Sequence, residues 1–338
     1  MAESQRTERK GSVHKPVSKI FLIKTNYHHQ LPEVYSSDQI SFQTATLING
    51  SPSSPVMKAR ISTGAYQELS LSAALECVSR ISDSAEVLSE GRHSLLIPEN
   101  VEVLQTFKLK YTVHGAVSGV NIASLDPGIR SASVALHKRE IALSAKVGAS
   151  LYVVHPGYLG WSFQAFRTTK ALEKSLEELK AAEIEYGIRV ALENLPKCPW
   201  PFFSSPGLDL KGLGIALDVG HANTCGLLNA FLTRPEVVHV HLHDNNGRRD
   251  DHLAIGQGNV DFGPVLEMIS ARKITAVLEH NSEMAVMESI KALRAFETMQ
   301  KSFIQSFIPT AWRWPTNAGS SPLDTGCKRL RPSRIMVR

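Results

Sequence analysis

A dense group of imidazole and carboxylate side chains lies in the last third of the chain. Three histidines alternate along an apolar stretch, His239, His241 and His243, and in an extended strand this period of two places them on one face. Asp250 and His252 follow in the next loop. Nitrogen and oxygen donors of these types bind borderline or hard divalent cations. The segment therefore indicates a metal site, and the ordinary alternative is a solvated polar loop after a core strand.

This segment belongs to a regular alternation of predicted strands and helices. The predicted strands are Ala59–Ser62, Ala85–Leu88, Leu109–His114, Ser150–His155, Ile188–Glu193, Gly214–Asp218, Val237–His243 and Ile274–Glu279. Eight such units in roughly 250 residues predict an α/β fold with a closed (β/α)8 TIM barrel, and an open doubly wound sheet is the alternative. No glycine-rich nucleotide fingerprint follows the first strand, which counts against that alternative.

Ligand-type side chains recur at the carboxyl ends of six predicted strands and in the loops that follow them. The nine positions are His114, His155, Glu193, Asp218, His221, His241, Asp250, His252 and Glu279. In a barrel these strand ends converge at the face where catalytic sites are built. Burying so many polar groups together would be costly without cations to pair with them. The sequence therefore predicts a metal centre at the mouth of the barrel.

Six short motifs give the chain a family resemblance. They are VHPG at 154–157, LEN at 192–194, LDVGHA at 217–222, HLHDNNG at 241–247, DDHLAIGQG at 250–258 and LEH at 278–280. With these motifs, residues 59–299 resemble the xylose isomerase-like, or AP endonuclease family 2, barrels, and the chain is also similar to endonuclease IV. The resemblance to endonuclease IV implies that all nine positions hold a trinuclear zinc centre. The resemblance to the sugar isomerase and epimerase branch implies one metal on Glu193, Asp218, His241 and Glu279.

Two chemistries suit these donors. Mn²⁺, Mg²⁺ or Co²⁺ on the smaller, mostly oxygen set would polarise a ketose and acidify its carbon-bound proton. Glu193 and Glu279 would then be catalytic, one as base and the other as acid, in 1,2-isomerisation or C3 epimerisation. The larger, histidine-rich set suits two or three Zn²⁺ ions, which would activate a hydroxide for phosphodiester hydrolysis. A metal-binding protein without enzymatic activity is a third alternative.

The distribution of charge favours a small-molecule substrate. The formal net charge is +5, but the first 24 residues are net +4 and the last 38 are net +6, which leaves residues 25–300 at −5. DNA binding usually needs a basic footprint. The segments after Asn194 and after His114 also depart from the endonuclease pattern. We therefore predict an enzyme acting on a sugar or sugar phosphate, with an endonuclease acting on abasic DNA as the alternative and nucleic acid as a partner only in that case.

Further residues are predicted to contact the substrate through their polar or aromatic side chains. The polar candidates for substrate binding are Glu90, His93, Asp244 and Asn245, and a local salt bridge with Arg92 is the alternative for the first two. The aromatic candidates to wall a sugar ring are Trp161, Trp200, Phe202 and Phe203, although such loop residues more often cover the core.

The ends of the chain differ in composition from its body. We predict an N-terminal extension over residues 1–55, partly disordered, a barrel over 56–304 and a disordered, flexible basic C-terminal tail over 305–338.

The four cysteines form no C-x-x-C pair, which fits a reducing compartment. The start has no apolar signal region and the chain has no run of 18 apolar residues, so a cytoplasmic protein without a membrane partner is expected. The sequence is compatible with a homo-oligomer.

Overall fold

Eight parallel strands close into a barrel in the computed structural model, which describes residues 59–197 and 202–307. The strands are β1 (Arg60–Ser62), β2 (Ser84–Leu88), β3 (Lys110–His114), β4 (Leu151–Val154), β5 (Arg189–Glu193), β6 (Gly214–Asp218), β7 (Val237–Leu242) and β8 (Thr275–Leu278). Each strand pairs with its neighbours in chain order, and β1 closes on β8 with Arg60 opposite Val277. The predicted closed barrel is confirmed and the open sheet is excluded.

The α-helices pack around the outside of the barrel. They are α1 (Leu71–Ser79), α2 (Pro98–Thr106), α3 (Pro127–Lys146), α4 (Ala165–Tyr186), α5 (Val219–Thr224), α6 (Leu228–Leu232), α7 (Phe262–Arg272) and α8 (Glu283–Phe307). The helices α5 and α6 are separated by a turn in which Gly226 takes a left-handed conformation with φ of 66°. The described part of the β5–β6 connection contains no helix.

The two faces of the strands have different roles. Outward residues such as Leu192, Leu217 and Val240 pack in the large apolar core between strands and helices. Inward residues at the same strands include Ala191 and Ala216, which belong to a small apolar cluster inside the barrel. Because side chains alternate along a strand, the residues two positions further on also face inward. This alternation directs the ligand-type groups at the carboxyl ends of β5 and β6 into the barrel mouth.

The predicted terminal segments fall mainly beyond the part of the chain that the structure describes. The extension over 1–55 lies outside the described residues, as does the tail from residue 308 onward. The helix α8 continues to Phe307, through the first three residues that the sequence assigned to the tail. Among the described helices, none combines the length and the apolar character needed to cross a bilayer.

Candidate metal centre and active site

Four ligand-type side chains from four different strands meet at the mouth of the barrel. Glu193 ends β5, Asp218 ends β6, His241 lies near the end of β7, and Glu279 directly follows β8. One donor atom from each lies within 4.8 Å of the donor atoms of the other three. The structure therefore brings together the smaller of the two predicted ligand sets.

Glu193 links this group to two further histidines. Its Oε2 atom lies 2.8 Å from His114 Nε2 and 3.1 Å from His155 Nε2, whereas its Oε1 atom lies 3.5 Å from His241 Nδ1. Each oxygen of this buried carboxylate thus faces a different set of imidazoles. Glu193 therefore connects the group around His241 to His114 and His155.

The other predicted ligands form a second group beside the first. Asp250 Oδ2 lies 3.0 Å from His221 Nε2 and 3.2 Å from His252 Nε2. His243, which the sequence analysis did not assign as a ligand, joins this group, with its ring stacked on that of His252 at 4.0 Å. Seven of the nine predicted ligand positions therefore lie in these two groups, and the other two, His114 and His155, contact Glu193.

Backbone carbonyl oxygens determine which nitrogen of three histidines faces the ligand groups. The Nδ1 atoms of His114, His221 and His252 lie 2.8 to 2.9 Å from the carbonyl oxygens of Gly115, Asn194 and Glu279. Because a carbonyl oxygen can only accept, each Nδ1 must donate its hydrogen. In the neutral ring the lone pair is then on Nε2, which points to the carboxylates. Hydrogen bonds of this kind orient histidine ligands in metal proteins.

His252 adopts a backbone conformation that residues with a side chain rarely occupy. Its φ angle is 49°, in the left-handed region. Strained residues of this type cluster at functional sites, where the surrounding structure maintains them. Here the strain turns the imidazole inward, between the backbone of Glu279 and the carboxylate of Asp250.

The donor atoms around His241 fit a bound cation. His241 Nδ1 and Glu279 Oε2 are buried and lie 2.9 Å apart, yet neither has a partner in hydrogen-bond geometry. Buried polar atoms left without such a partner are rare and call for an explanation. Close approach without hydrogen-bond geometry is not specific to this pair, since His241 Nε2 and Glu86 Oε1 show it too, at 2.8 Å. On the Nδ1 side, however, donor atoms of Glu193 and Asp218 also lie within 4.8 Å, which gives four donors around one point. The donor types and the donor geometry of Glu193, Asp218, His241 and Glu279 therefore fit a bound divalent cation.

Mutual interactions shift the pKa values of these groups in opposite directions. Burial opposes ionisation of Glu279, but the charge of His241 outweighs it and lowers the pKa of the carboxyl group to about 2. Burial likewise opposes protonation of His114, but the hydrogen bond to Glu193 raises the pKa of the imidazole to about 9. His252 also has a pKa raised to about 9, through Asp250. A cation must therefore displace protons from these histidines, which makes its binding dependent on pH.

The four residues predicted to bind substrate have their hydrogen bonds elsewhere. Glu90 accepts from two backbone amides of the loop after β3, and the buried His93 contacts Gln67 and the backbone of Leu69. For these two residues, substrate binding stays a prediction that their contacts do not favour. Their contacts instead favour a role in holding loops together.

Asp244 and Asn245 hold the long loop after β7. Asp244 accepts from the amides of Gly256 and Gly258, and Asn245 donates to the carbonyl oxygen of Gly220. Both side chains are buried. Because the two glycine amides are engaged by Asp244, they are not free for a phosphate group. A substrate contact by either side chain stays a prediction, and the observed bonds favour a structural role.

The aromatic candidates separate into two groups by exposure. Trp161 lies in the loop after β4, stacks on Phe163 and is 61% exposed, so it is available to a ligand. Phe202 and Phe203 are buried, and the latter packs edge-on against Phe231. These two residues cover the core, in agreement with the ordinary alternative for such residues. Trp200 lies outside the described residues.

Two cavities differ in their position relative to the ligand groups. A cavity of about 540 Å³ is lined by Ala59, Asp83 and Leu109, which precede β1, β2 and β3, so it opens at the opposite end of the barrel from the ligands. A smaller cavity of about 110 Å³ is lined by His155 and Tyr158. The smaller cavity therefore adjoins a predicted ligand position, whereas the larger one does not.

Sequence reasoning missed the residues behind the ligands. Glu86, Thr112 and His239 are fully buried inside the barrel, and the latter two are hydrogen-bonded to Glu86. Glu86 and Thr112 were not predicted as site residues, and His239 was noted for its spacing along the strand but not placed among the nine ligand positions. The available signal was a glutamate in the middle of the otherwise small and apolar strand β2. Its partner His239 is 153 positions away in the sequence, so its pairing could not be inferred from spacing.

Gly220 is required by the position of His243. A Cβ atom at Gly220 would lie 2.0 Å from Cε1 of the His243 ring, well inside the contact distance of real atoms. The glycine of the LDVGHA motif thus leaves space for a ring that belongs to the HLHDNNG motif. The two motifs are therefore in direct steric contact.

Comparison with known proteins gives the same fold. A solved structure described as a D-tagatose 3-epimerase-like protein superposes with a TM-score of 0.67 and 28% identity, covering 73% of this chain and all of the other. A 3-keto-D-glucoside 4-epimerase from E. coli superposes with a TM-score of 0.57 and 20% identity over 72% of this chain and 99% of the other, a level that shows the fold alone.

Sequence comparison identifies a further similar protein. An uncharacterized protein of Methanocaldococcus jannaschii is 32% identical over 213 residues, which cover 61% of this chain and 85% of that relative. The family described as xylose isomerase-like TIM barrel matches residues 87–296, which contain all nine predicted ligand positions. The chain therefore belongs to the xylose isomerase-like TIM-barrel family.

Proposed function

We propose that this chain is a divalent-metal-dependent isomerase or epimerase acting on a sugar or sugar phosphate. The observation that carries the proposal is the convergence of Glu193 and Glu279 on His241 Nδ1, at 3.5 and 2.9 Å. With Asp218 they form a set of three carboxylates and one imidazole, which suits a single Mn²⁺, Mg²⁺ or Co²⁺. When bound, such a cation would polarise the carbonyl and neighbouring hydroxyl oxygens of a ketose.

Glu193 and Glu279 are the groups that we assign to proton transfer. Burial opposes ionisation of Glu193, but His155 and His241 hold its pKa well below the usual range, and the pKa of Glu279 is lowered to about 2. Both are therefore ionised at neutral pH, as a general base must be. One carboxylate takes the proton bound to carbon. For epimerisation, the other carboxylate would first take up a proton from solvent and then deliver it to the same carbon from the opposite face, while the first releases its proton to solvent.

The substrate class is supported by similarity and by charge. The structure with 28% identity is described as D-tagatose 3-epimerase-like, which favours a sugar as the substrate of this chain as well. Residues 25–300 are net −5, which favours a small molecule over a nucleic acid. We assign the exposed Trp161 to stacking on the sugar ring, since amphipathic aromatic groups suit such a surface.

Exchange of the carbon-bound proton with solvent tests the proposal directly. Protein loaded with Mn²⁺ is incubated in D₂O with a panel of ketoses and ketose phosphates, and deuterium incorporation is followed by NMR. We expect incorporation into at least one compound, reduced by about 10² to 10⁴ in Glu279→Gln. The control is Glu99→Gln, which changes an exposed carboxylate of α2 and should leave the rate unchanged. A protein that binds the cation but exchanges no compound of the panel would sink the proposal.

A zinc-dependent phosphodiesterase acting on abasic DNA is the second candidate. It is favoured by the second ligand group around His221, Asp250 and His252, because the single-metal chemistry does not need these donors. Two or three Zn²⁺ ions in the neighbouring groups would supply an activated hydroxide. Three tightly bound zinc ions per chain and nicking of an abasic duplex, lost in Glu279→Gln, would establish this function in place of the first.

A further inference from the structure

A buried carboxylate lies behind His241, on the side of the ring that faces away from the ligand groups. Glu86 projects from β2 into the barrel, and its Oε1 atom lies 2.8 Å from His241 Nε2. Both side chains are completely buried. The same imidazole presents Nδ1 to Glu279, 2.9 Å away, so the ring lies between two carboxylates that belong to different strands.

Two neighbours hold the Glu86 carboxylate in this orientation. The Oε2 atom accepts a hydrogen bond from Thr112 Oγ1 at 2.9 Å and lies 2.7 Å from His239 Nε2. The ring of His239 also packs edge-on against that of His241, with centroids 5.1 Å apart. Because both hydrogen bonds engage Oε2, the other oxygen is left facing His241. Thr112 and His239 therefore fix the direction of Oε1.

Packing alone does not account for a glutamate at this position. The flanking residues Ala85 and Val87 face outward and complete the apolar core, while the inner face elsewhere carries small apolar residues such as Ala191 and Ala216. A buried carboxylate is costly unless it is paired and hydrogen-bonded. Glu86 meets this condition through Thr112, His239 and His241, so its role is to be sought in these contacts.

The geometry at His241 indicates that function. Glu86 Oε1 and His241 Nε2 are 2.8 Å apart but not in hydrogen-bond geometry, so their contact is electrostatic. Because an ionised carboxylate can only accept, its negative charge beside Nε2 favours a hydrogen on that nitrogen. With the hydrogen on Nε2, the lone pair of the neutral ring is on Nδ1, directed at Glu193, Asp218 and Glu279. Metal-binding histidines are commonly oriented by a carboxylate on their second nitrogen, which also makes the ring a better donor.

We propose that Glu86 is a positioning residue for His241, with Thr112 and His239 as the groups that hold Glu86 in place. This inference rests on the proposed function, because it gives His241 the role of a metal ligand. It assigns Glu86 no contact with the substrate. In this view the metal site extends across the barrel interior, from Glu279 through His241 to Glu86.

Cobalt binding tests the inference independently of catalysis. Purified wild-type protein is compared with Glu86→Gln by competition for Co²⁺ against a chelator and by the visible absorption of the bound Co²⁺. We expect the affinity of Glu86→Gln to fall by about 10- to 100-fold, with an altered absorption spectrum. Thr112→Val, which removes one donor to Oε2, should change both properties in the same direction by a smaller amount, and it serves if Glu86→Gln does not fold.

The matched control is another buried glutamate. Glu140 accepts hydrogen bonds from Ser89, Tyr152 and the amide of Ala116, and it makes no hydrogen bond to a proposed metal ligand. Glu140→Gln should therefore destabilise the fold yet leave the Co²⁺ affinity and spectrum unchanged. Equal losses of affinity in the two Gln variants, or an unchanged affinity and spectrum in Glu86→Gln and Thr112→Val, would overturn the inference. Failure of the wild-type protein to bind any divalent cation would instead overturn the proposed function.

Discussion

Both carboxylate oxygens of Asp218 lie within hydrogen-bonding distance of His243 Nε2, at 3.0 and 3.1 Å. Asp218 belongs to the ligand group around His241, whereas His243 belongs to the group around Asp250. Asp218 Oδ1 also accepts the amide hydrogen of His221 and so caps the short helix α5. One carboxylate therefore joins the two ligand groups and the turn that carries His221.

Enlarging Gly220 should disturb this junction. In Gly220→Ala the new Cβ would collide with the His243 ring, which is buried and cannot move away without displacing its neighbours. We expect a loss of about 1 to 3 kcal/mol in the free energy of unfolding. We also expect weaker zinc binding at the second ligand group, measured by thermal unfolding and by zinc titration.

The control for this change is Gly207→Ala. Nothing lies within 4 Å of a Cβ atom at Gly207, and its backbone is not in the left-handed region. The control variant should unfold and bind zinc like the wild-type protein. A Gly220→Ala protein that matched the control in both measurements would show that His243 and Asp218 are not coupled as described.

The sequence predicted the convergence of these ligand-type side chains because it depends on local rules. Period-two alternation placed His239 and His241 on one face of β7, and the ends of parallel strands must meet at one mouth of the barrel. Those two rules were sufficient to bring Glu193 and Asp218 to His241. Fold and ligand groups therefore follow from spacing along single strands.

Contacts between distant strands and within loops could not be predicted in this way. Glu86 meets His239 only because β2 and β7 face each other across the barrel, a relation that appears in no local pattern. Asp244 was predicted to contact substrate from its position after β7, but the return of the loop brings Gly256 and Gly258 back to its carboxylate. In both cases the polar residue meets its partner only after the chain has folded, through closure of the barrel for Glu86 and through the return of the loop for Asp244.

Removing the charge of Glu193 should affect cation binding more than any other single change in the first group. Glu193 faces His114 and His155 with one oxygen and His241 with the other. In Glu193→Gln we expect cation affinity to fall by at least about 100-fold and proton exchange to fall by about 10² to 10⁴. Calorimetric titration with Mn²⁺ measures the first effect. Unchanged Mn²⁺ affinity in this variant would contradict the role of Glu193 as a ligand.

The stability of chelator-treated protein should decrease as the pH rises from about 6.5 to 9. The pKa values of His114 and His252 are raised to about 9 by Glu193 and Asp250, although burial opposes this. The folded state therefore binds these protons more tightly than the unfolded state, whose histidines titrate near pH 6.5. The resulting stability is complete below pH 6.5 and is lost as the pH rises through 9.

A bound cation should oppose this decrease. Because the cation competes with protons for the same nitrogen atoms, its affinity rises over the range in which the protons leave. Glu279, with a pKa of about 2, stays ionised throughout this range and adds no slope. The difference in Tm between Zn²⁺-loaded and chelator-treated protein should therefore widen from pH 6.5 to 9. A constant difference across this range would contradict the raised histidine pKa values.

Truncating Trp161 should affect substrate binding without affecting the fold or the metal. The ring is 61% exposed and its recorded aromatic contact is with Phe163, so its loss should change the free energy of unfolding by less than about 0.5 kcal/mol. If the ring stacks on the substrate, Trp161→Ala should raise KM by about tenfold, with kcat and Mn²⁺ affinity little changed. Trp161→Phe retains an aromatic face and should recover most of the affinity. An unchanged KM in Trp161→Ala would show that Trp161 does not contact the substrate. The cavity lined by His155 and Tyr158 would then be the better candidate for the substrate site.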